Sequence, residues 1–338
     1  MKKISLIIPL LICSLFLKAQ DIHFAQLYAT PLTINPAQTG AENKYRAILN
    51  YRNQWASVTT PYLSMMASFD MNFKKARSKK AFWAAGIFAY NDKAGDSQMS
   101  LSQINGSVAY HIPLDDNNLL GVGLQGGYFQ RSANTSSLTW GNQFDGYQHN
   151  AAISSNENFG DGKMAIGKAD LSAGIFHQFI NEGETFSSIS TGLAVHHLNS
   201  PTYDYSNIVK DKLYYRWAFH STAAINASDN IVVNPSALYY RQGKLQEIYF
   251  GTNMMYYLEK ATKTNYKGNT AIGVGAYYRW NDAVVGSLHL DYQSFLLGFS
   301  YDFNISTLKS ASNYKGGFEV SLIYRMKEAS SFSAPQLH

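Results

Sequence analysis

The sequence predicts an all-β fold, a transmembrane antiparallel β-barrel of about 14 strands of the outer-membrane type. The first observation behind this prediction is the stretch from Phe295 to Ile305, where large apolar residues alternate with mostly small or polar ones. Successive side chains of a strand point to opposite faces, so this alternation indicates one apolar and one polar face. The same pattern recurs through almost the whole chain, at lengths that suit a bilayer crossing.

Composition supplies the second observation. Of the 338 residues, 46% are hydrophobic and 14% aromatic, but only 15% are charged, whereas soluble domains carry about 25% charged residues. Low charge with abundant tyrosine is typical of a barrel whose polar lumen offsets its apolar exterior. The third observation is that no run of 18 apolar residues follows residue 19. A chain of this kind can be integral to a membrane only as a closed barrel.

Residues 1–19 are predicted to be a signal peptide, with Lys2 and Lys3 before an apolar run and a cleavage site after Ala19. Cleavage would leave 25 basic and 23 acidic residues, which lowers the formal net charge from +5 to +2. This small excess gives no case for a nucleic-acid partner. Cys13 is the only cysteine, so the mature chain is expected to hold no disulfide, thiol nucleophile or cysteine-ligated metal.

Residues 20–44 are predicted to form an N-terminal periplasmic lead-in before the barrel. Pro31 and Pro36 argue against a helix or a central strand, and Asn35-Pro36 is a turn signal. Phe24 and Tyr28 give the segment enough apolar surface to dock rather than act as a linker.

The barrel is predicted over residues 45–326, followed by a C-terminal tail, 327–338. In the first strand Tyr45, Ala47 and Leu49 would face outward, and Arg46 and Asn50 inward. Turn residues separate the segments. The predicted strands cover about 45–55, a second segment after Pro61, 82–91, 104–112, 119–131, 166–179, 187–199, 212–226, 230–241, 245–258, 270–280, 283–291, 294–304 and 316–326.

An even number of strands places both termini on the periplasmic side and makes alternate loops extracellular. On this orientation Trp55, Trp217 and Trp280 fall toward the outer ends of strands and Trp83 toward an inner end. Aromatic girdles at both membrane interfaces are typical of these barrels.

Residues 132–164 interrupt the strand rhythm and are rich in Ser, Asn, Gly and Gln. Loops of this length are usually functional or disordered. We expect this loop to be extracellular and to carry a partner-binding surface. Its candidate contact residues are the aromatic ones: Trp140, Phe144, Tyr147 and Phe159.

No motif predicts a catalytic, cofactor or metal site. His196-His197 is the most suggestive pair, but adjacent strand residues face opposite ways and could not share one ion. Gly121-Val-Gly-Leu-Gln-Gly126 matches a dinucleotide fingerprint in letters only, because it lies inside a strand rather than at a strand-to-helix turn.

Charged residues also fall on the predicted inward face. They are either a selectivity lining or a set of pairs that neutralise one another across strands, and the second interpretation is favoured because such linings are routine in barrels. The residues are Arg46, Arg52, Arg216 and Arg325 with Asp170, Glu247, Asp291, Asp302 and Glu319.

Two stretches near the ends of the chain carry a family resemblance. The lead-in Gln20-Asp-Ile-His-Phe-Ala-Gln26 with its later proline and glycine positions, together with Ser300-Tyr-Asp-Phe-Asn-Ile-Ser306 and 316–324, resembles the PorP/SprF family of type IX secretion membrane proteins. The motif residues are interpreted as packing and turn determinants rather than ligand contacts: Asp21, Phe24, Gln26, Pro31, Asn35, Pro36, Gly40, Tyr301, Asp302 and Phe303.

The resemblance implies an outer-membrane barrel that works with the type IX secretion machinery in a gliding or adhesin-secreting bacterium. Some members are paired with one large secreted adhesin, and are needed for its export or for holding its C-terminal domain at the cell surface. The implied partners are therefore that cargo domain, the secretion machinery and outer-membrane lipid.

Two other functions stay open at this point. A passive channel or small-molecule transporter predicts an open lumen, against which the inward aromatics Phe176 and Tyr249 argue mildly. A membrane-embedded hydrolase needs a Ser-His-acid constellation, which the sequence does not display.

Overall fold

The computed structural model describes residues 24–326, apart from 57–59, 76–77, 96, 135–137, 157–162, 182–185, 204–210, 259–269 and 308. The predicted signal peptide, the tail 327–338, Asp21 and Phe159 lie outside the described residues. In the described part, no helix combines the length and the apolar character that a membrane crossing requires.

The prediction of a 14-stranded antiparallel barrel is confirmed. Neighbours in the sheet follow chain order, and the first strand pairs with the last to close the wall. The strands are β1 Tyr45–Gln54, β2 Tyr62–Asn72, β3 Phe82–Ala94, β4 Met99–Pro113, β5 Asn118–Asn134, β6 Lys163–Ile180, β7 Phe186–His196, β8 Thr202–Tyr203, β9 Asp211–Lys212, β10 Arg216–Ser228, β11 Ile231–Gln242, β12 Leu245–Tyr257, β13 Thr270–Arg279, β14 Ala283–Tyr292, β15 Phe295–Asn304 and β16 Lys315–Met326. Of these, β8 and β9 form a separate two-stranded sheet that the sequence pattern did not predict.

The alternation of apolar and polar residues sorts the side chains between the two faces of the wall. In β15, Phe299 is 43% exposed on the outer face, whereas Ser300 is fully buried on the inner one. Large apolar side chains such as Leu49 and Leu288 stay exposed along the other strands. In a barrel this exposed apolar band is the surface that lipid covers.

The barrel has two ends, which we name by the chain. The terminal rim is where β1 begins and β16 ends, and the far rim is the opposite end. Trp55, Trp217 and Trp280 lie at far-rim ends of strands, and Trp83 lies at a terminal-rim end. The predicted positions of these residues relative to the strand ends are therefore confirmed.

The predicted lead-in lies inside the barrel rather than beside it. Its described part, residues 24–43, contains three short helical turns at Leu27–Ala29, Pro31–Ile34 and Pro36–Gln38. We call residues 24–43 the plug. Its hydrogen bonds join inward-facing groups of β1, β2, β4, β5, β10, β12, β15 and β16, among others. A backbone without strand or long helix needs these partners, because buried N–H and C=O groups must be paired.

The long loop is shorter than predicted. β5 and β6 stay paired as far as Asn134 and Lys163, so the connecting segment is 135–162 rather than 132–164. Cross-strand pairing continues through Ser132–Ala165, Ala133–Met164 and Asn134–Lys163, where the alternation of large apolar and polar residues no longer marks a strand.

Candidate functional site

The first end of the plug is held by the closing strand. The backbone N–H groups of Ala25 and Gln26 donate to the two carboxylate oxygens of Glu319 at 2.7 and 3.2 Å. The Tyr249 hydroxyl donates to the Ala25 carbonyl at 2.6 Å. The Gln26 side chain donates to the Ser300 hydroxyl and accepts from Ser321. A buried carboxylate of β16 thus serves as the acceptor for the backbone of the plug.

Toward the far rim, this contact adjoins a group of buried charges. Asp302 accepts from Arg52 at 2.7 Å and from Arg279 at 2.9 Å, and Glu319 lies 3.9 Å from Arg52. All four side chains are buried, and the most exposed of them, that of Arg279, is 5% exposed. The inward charges therefore form pairs across strands, as the favoured interpretation predicts, and Asp302 of the family motif is the acceptor shared by two arginines. Its motif neighbours Tyr301 and Phe303 face outward with ring centroids 4.9 Å apart.

The middle of the plug lies directly against the backbone of the wall. Asn35 is fully buried, accepts from the Ala37 N–H at 2.9 Å and donates to the Ile175 carbonyl at 2.8 Å. A Cβ at Gly123 would lie 2.5 Å from the Ala37 nitrogen, and one at Gly174 would lie 2.0 Å from Asn35 Oδ1. These distances are shorter than packed side chains allow, so only glycine lets the Asn35-Pro36-Ala37 turn approach the sheet.

The glycine motif in β5 thus has a role that sequence analysis missed. Gly121 and Gly123 belong to the run that matches a dinucleotide fingerprint in letters, and they form half of this contact surface with Gly174 and Gly192. The available signal was their spacing of two, which places both on the inward face of one strand.

The plug leaves the lumen at the terminal rim. Gly40 has φ +60°, and a Cβ there would lie 2.6 Å from Ala84 Cβ, so both its conformation and its space require glycine. Its N–H donates to Asp70 at 2.8 Å, and the same carboxylate accepts two bonds from Arg46 at 2.9 Å. Asn72 donates to the carbonyls of Gly40 and Asn43. This bidentate arginine pair fixes the turn from the plug into β1.

Each described motif residue of the lead-in is buried. The exposed fraction is 7% for Phe24, 2% for Gln26 and 0% for Asn35. Pro31 and Pro36 each begin a short helical turn, where a missing N–H costs nothing.

The prediction that His196 and His197 face opposite ways is wrong, because both side chains lie toward the lumen. β7 ends at His196, and His197 has φ +62°, which turns its side chain back into the lumen. His197 Nδ1 lies 2.9 Å from Asp170, and His196 donates to the Ile34 carbonyl at 3.1 Å. No group of three potential metal ligands comes together among the described residues.

The plug does not fill the whole lumen. A cavity of about 380 Å³ remains between the plug and the terminal rim, with Tyr28 and Ile34 on one side and Asn253 and Leu296 on the other. A smaller space of about 20 Å³ lies near Phe24, which is room for about one water.

The far-rim loop exposes large aromatic side chains, whereas the plug buries them. Tyr147 is 97% exposed and Phe144 is 58% exposed, while Trp140 is partly buried. Asp145 accepts from the backbone N–H groups of Gln148 and Tyr147, both at 2.9 Å, and these bonds lower the pKa of its carboxyl. This local turn presents Phe144 and Tyr147 to solvent.

Solved structures with a similar fold are also barrels. The TodX ΔS2S3 mutant, a monoaromatic hydrocarbon channel, has a TM-score of 0.51 at 8% identity, with 88% of this chain and 94% of that chain covered. The Ralstonia pickettii toluene transporter TbuX has a TM-score of 0.48 at 10% identity, covering 89% and 94%. A Pseudomonas aeruginosa FadL homologue has 0.44 at 12%, covering 86% and 92%. At these identities the likeness concerns the fold alone, and no curated protein matches the chain.

The sequence comparison identifies a family, whereas the structural comparison shows only the fold. Residues 16–324, nearly the whole chain, match the family described as type IX secretion system membrane protein PorP/SprF. The fold is that of an outer-membrane barrel, and the matched family is one of type IX secretion membrane proteins. The chain therefore belongs to the PorP/SprF family of type IX secretion membrane proteins.

Proposed function

We propose that this barrel supports the export and cell-surface attachment of a large adhesin-like cargo, and that it binds the C-terminal domain of that cargo at its far rim. The terminal rim then faces the periplasm, both chain termini lie on that side, and the far rim faces outward. The observation that carries the proposal is the plug, because a lumen occupied by a hydrogen-bonded segment offers binding surface at its rims rather than a wide passage.

The far-rim loop is the proposed contact surface. Phe144 and Tyr147 are large aromatic side chains exposed at the tip of an ordered turn, and aromatic anchors are enriched among residues that dominate binding energy. Trp140 and Phe159 belong to the same proposed surface. Association with the secretion machinery, and a role in gliding, would follow from holding the cargo there.

The test is a pull-down of the tagged protein from native outer membranes with mass spectrometry of what it retains. Phe144→Ala with Tyr147→Ala should lose the cargo while the barrel stays inserted. Tyr314→Ala is the matched control, because Tyr314 is 60% exposed on a different far-rim segment. Replacement of 135–162 by a two-residue Asn-Gly turn, which lets Asn134 and Lys163 stay paired, gives the stronger form as a deletion variant. Retention of cargo by the deletion variant would end the loop assignment.

A passive channel is the second candidate, and the 380 Å³ cavity is the observation that favours it. It predicts steady conductance of the intact protein in a planar bilayer. The plug predicts a closed baseline instead, so this measurement separates the two.

A further inference from the structure

The lumenal cavity has walls of two kinds. Met255, Leu296 and Ile323 belong to one buried apolar cluster, and Asn226, Asn234 and other amide or hydroxyl side chains line the opposite part. Its volume of about 380 Å³ falls within the range of roughly 300–1,000 Å³ that small-molecule sites occupy. The cavity therefore has the size and the mixed lining of a ligand site.

One side of the cavity lies against a gap of two pairs in the ladder between β10 and β11, across which the register stays the same. The pairing of β10 with β11 is continuous from Arg216–Gln242 to Thr222–Ser236 and resumes at Ile225–Val233. Between them, the register would pair Ala223 with Pro235 and Ala224 with Asn234, and neither pair forms. Pro235 has no N–H to donate, which is why proline is rare in the interior of a sheet. We call these four residues the seam.

The seam and its neighbours carry small side chains on both faces of the wall. His220 of β10 and Leu238 of β11 are buried on the inner face, so alternation places Ala223 and Ala237 outward. Both nevertheless line the cavity together with inward-facing Ser236. All three side chains are small, and the outward neighbours Ile225 and Val233 are apolar. Here the wall between the cavity and the lipid-facing surface is therefore formed by backbone and small side chains.

The cavity also offers polar atoms toward the terminal rim, where β14 and β16 end. His289 is 94% buried and lies edge-on to Tyr28, with ring centroids 5.1 Å apart. Within the described residues, neither ring nitrogen of His289 has a hydrogen-bond partner, and the same holds for Asp291 Oδ1 and Arg325 Nε. Buried polar atoms are almost always paired, so this cluster is suited to a polar group of a bound molecule. Because Arg325 pairs with Asp291, and Arg46 with Asp70, the cluster is not a cationic site for a free anion.

We propose that the cavity binds an amphiphile with a single apolar chain and a small uncharged polar head, and that this molecule enters from the bilayer through the seam. The chain packs on Met255, Leu296 and Ile323, and the head meets His289 and its neighbours. This site is separate from the far-rim surface, and its readout does not depend on cargo.

The experiment uses the full protein in proteoliposomes with dodecanol that carries a diazirine at the end of its chain. After photolysis, mass spectrometry maps the labelled residues. We expect labels on the inward-facing Met255, Leu296 and Ile323 as well as on the lipid-facing surface. Labels confined to outward-facing residues would overturn the proposal.

Two variants separate the cavity from its entrance. Ser236→Phe fills the cavity and should abolish inward labelling. Pro235→Val restores an N–H to the ladder and should slow inward labelling about tenfold, because two strands must now part to admit the chain. Ala276→Val is the control, since Ala276 faces outward in β13 where pairing with β14 is complete. Inward labelling at an unchanged rate in Pro235→Val would overturn entry through the seam. A heat-induced mobility shift verifies that each variant is folded.

Discussion

The plug and the far-rim loop are both irregular segments of one chain, but the plug is buried and the tip of the loop is exposed to solvent. The plug is buried, and its backbone groups bond to side chains of strands far away in sequence, as Ala25 does to Glu319. The loop turn bonds mainly to itself, and Tyr147 is 97% exposed. The lead-in part of the family motif lies in the segment that the barrel encloses, whereas the exposed loop surface carries no such motif.

Removal of the plug should produce the largest effect. A chain that resumes at Ala41 after the signal peptide loses the side chains that occupy the lumen, so the barrel should pass from a closed baseline to steady ion conductance in a planar bilayer. A plug-free barrel that stays non-conducting would show that other groups close the lumen. The intact protein and the 135–162 deletion serve as closed references.

The second-largest effect is expected for the buried charges around Asp302. Asp302→Ala leaves Arg52 and Arg279 without their shared acceptor, and breaking a buried pair costs about 3–5 kcal/mol. The free energy of unfolding, measured by urea titration in micelles, should fall by that amount. Asp282→Ala is the control, because Asp282 also contacts Arg279 but its side chain is 41% exposed. Equal losses in both variants would contradict the shared-acceptor role.

The contact between plug and wall gives a smaller effect. Gly123→Ala places a methyl group 2.5 Å from the Ala37 nitrogen, and overpacking of this kind costs about 1–3 kcal/mol. The same substitution at Gly106, where no atom lies within 4 Å of the added Cβ, should leave stability unchanged. Urea titrations of the two variants should therefore separate, and the idea fails if they coincide.

The smallest effect concerns the loop turn. Its two backbone hydrogen bonds lower the pKa of Asp145, so the carboxylate stabilises the turn above the ordinary aspartate pKa of about 3.9 and loses this effect as pH falls through the lowered value. Carbonyl chemical shifts should give an Asp145 midpoint below that of an exposed aspartate. A midpoint at or above the ordinary value would remove the turn as the element that presents Phe144 and Tyr147.

The sequence pattern predicts the strands of the barrel wall well, but it does not predict what occupies the lumen. Lipid on one side and a polar lumen on the other force alternation onto each strand, and that pattern predicts the 14 strands. The plug obeys no periodicity, because its partners lie up to 295 positions away. His197 shows the limit at single residues, since a left-handed backbone conformation reverses the direction that alternation assigns. The role of Gly123 depends on what lies opposite it, which a local motif does not contain.

The position of Glu319 has a consequence for assembly. This residue sits on the last strand to be synthesised, and it bonds to the beginning of the plug while its own strand pairs with β1. The contact between Ala25 and Glu319 therefore cannot form before β16 has taken its place beside the other strands. The oldest part of the nascent chain is thus fixed by the youngest, and the bond between them is among the last contacts that the folding barrel can make.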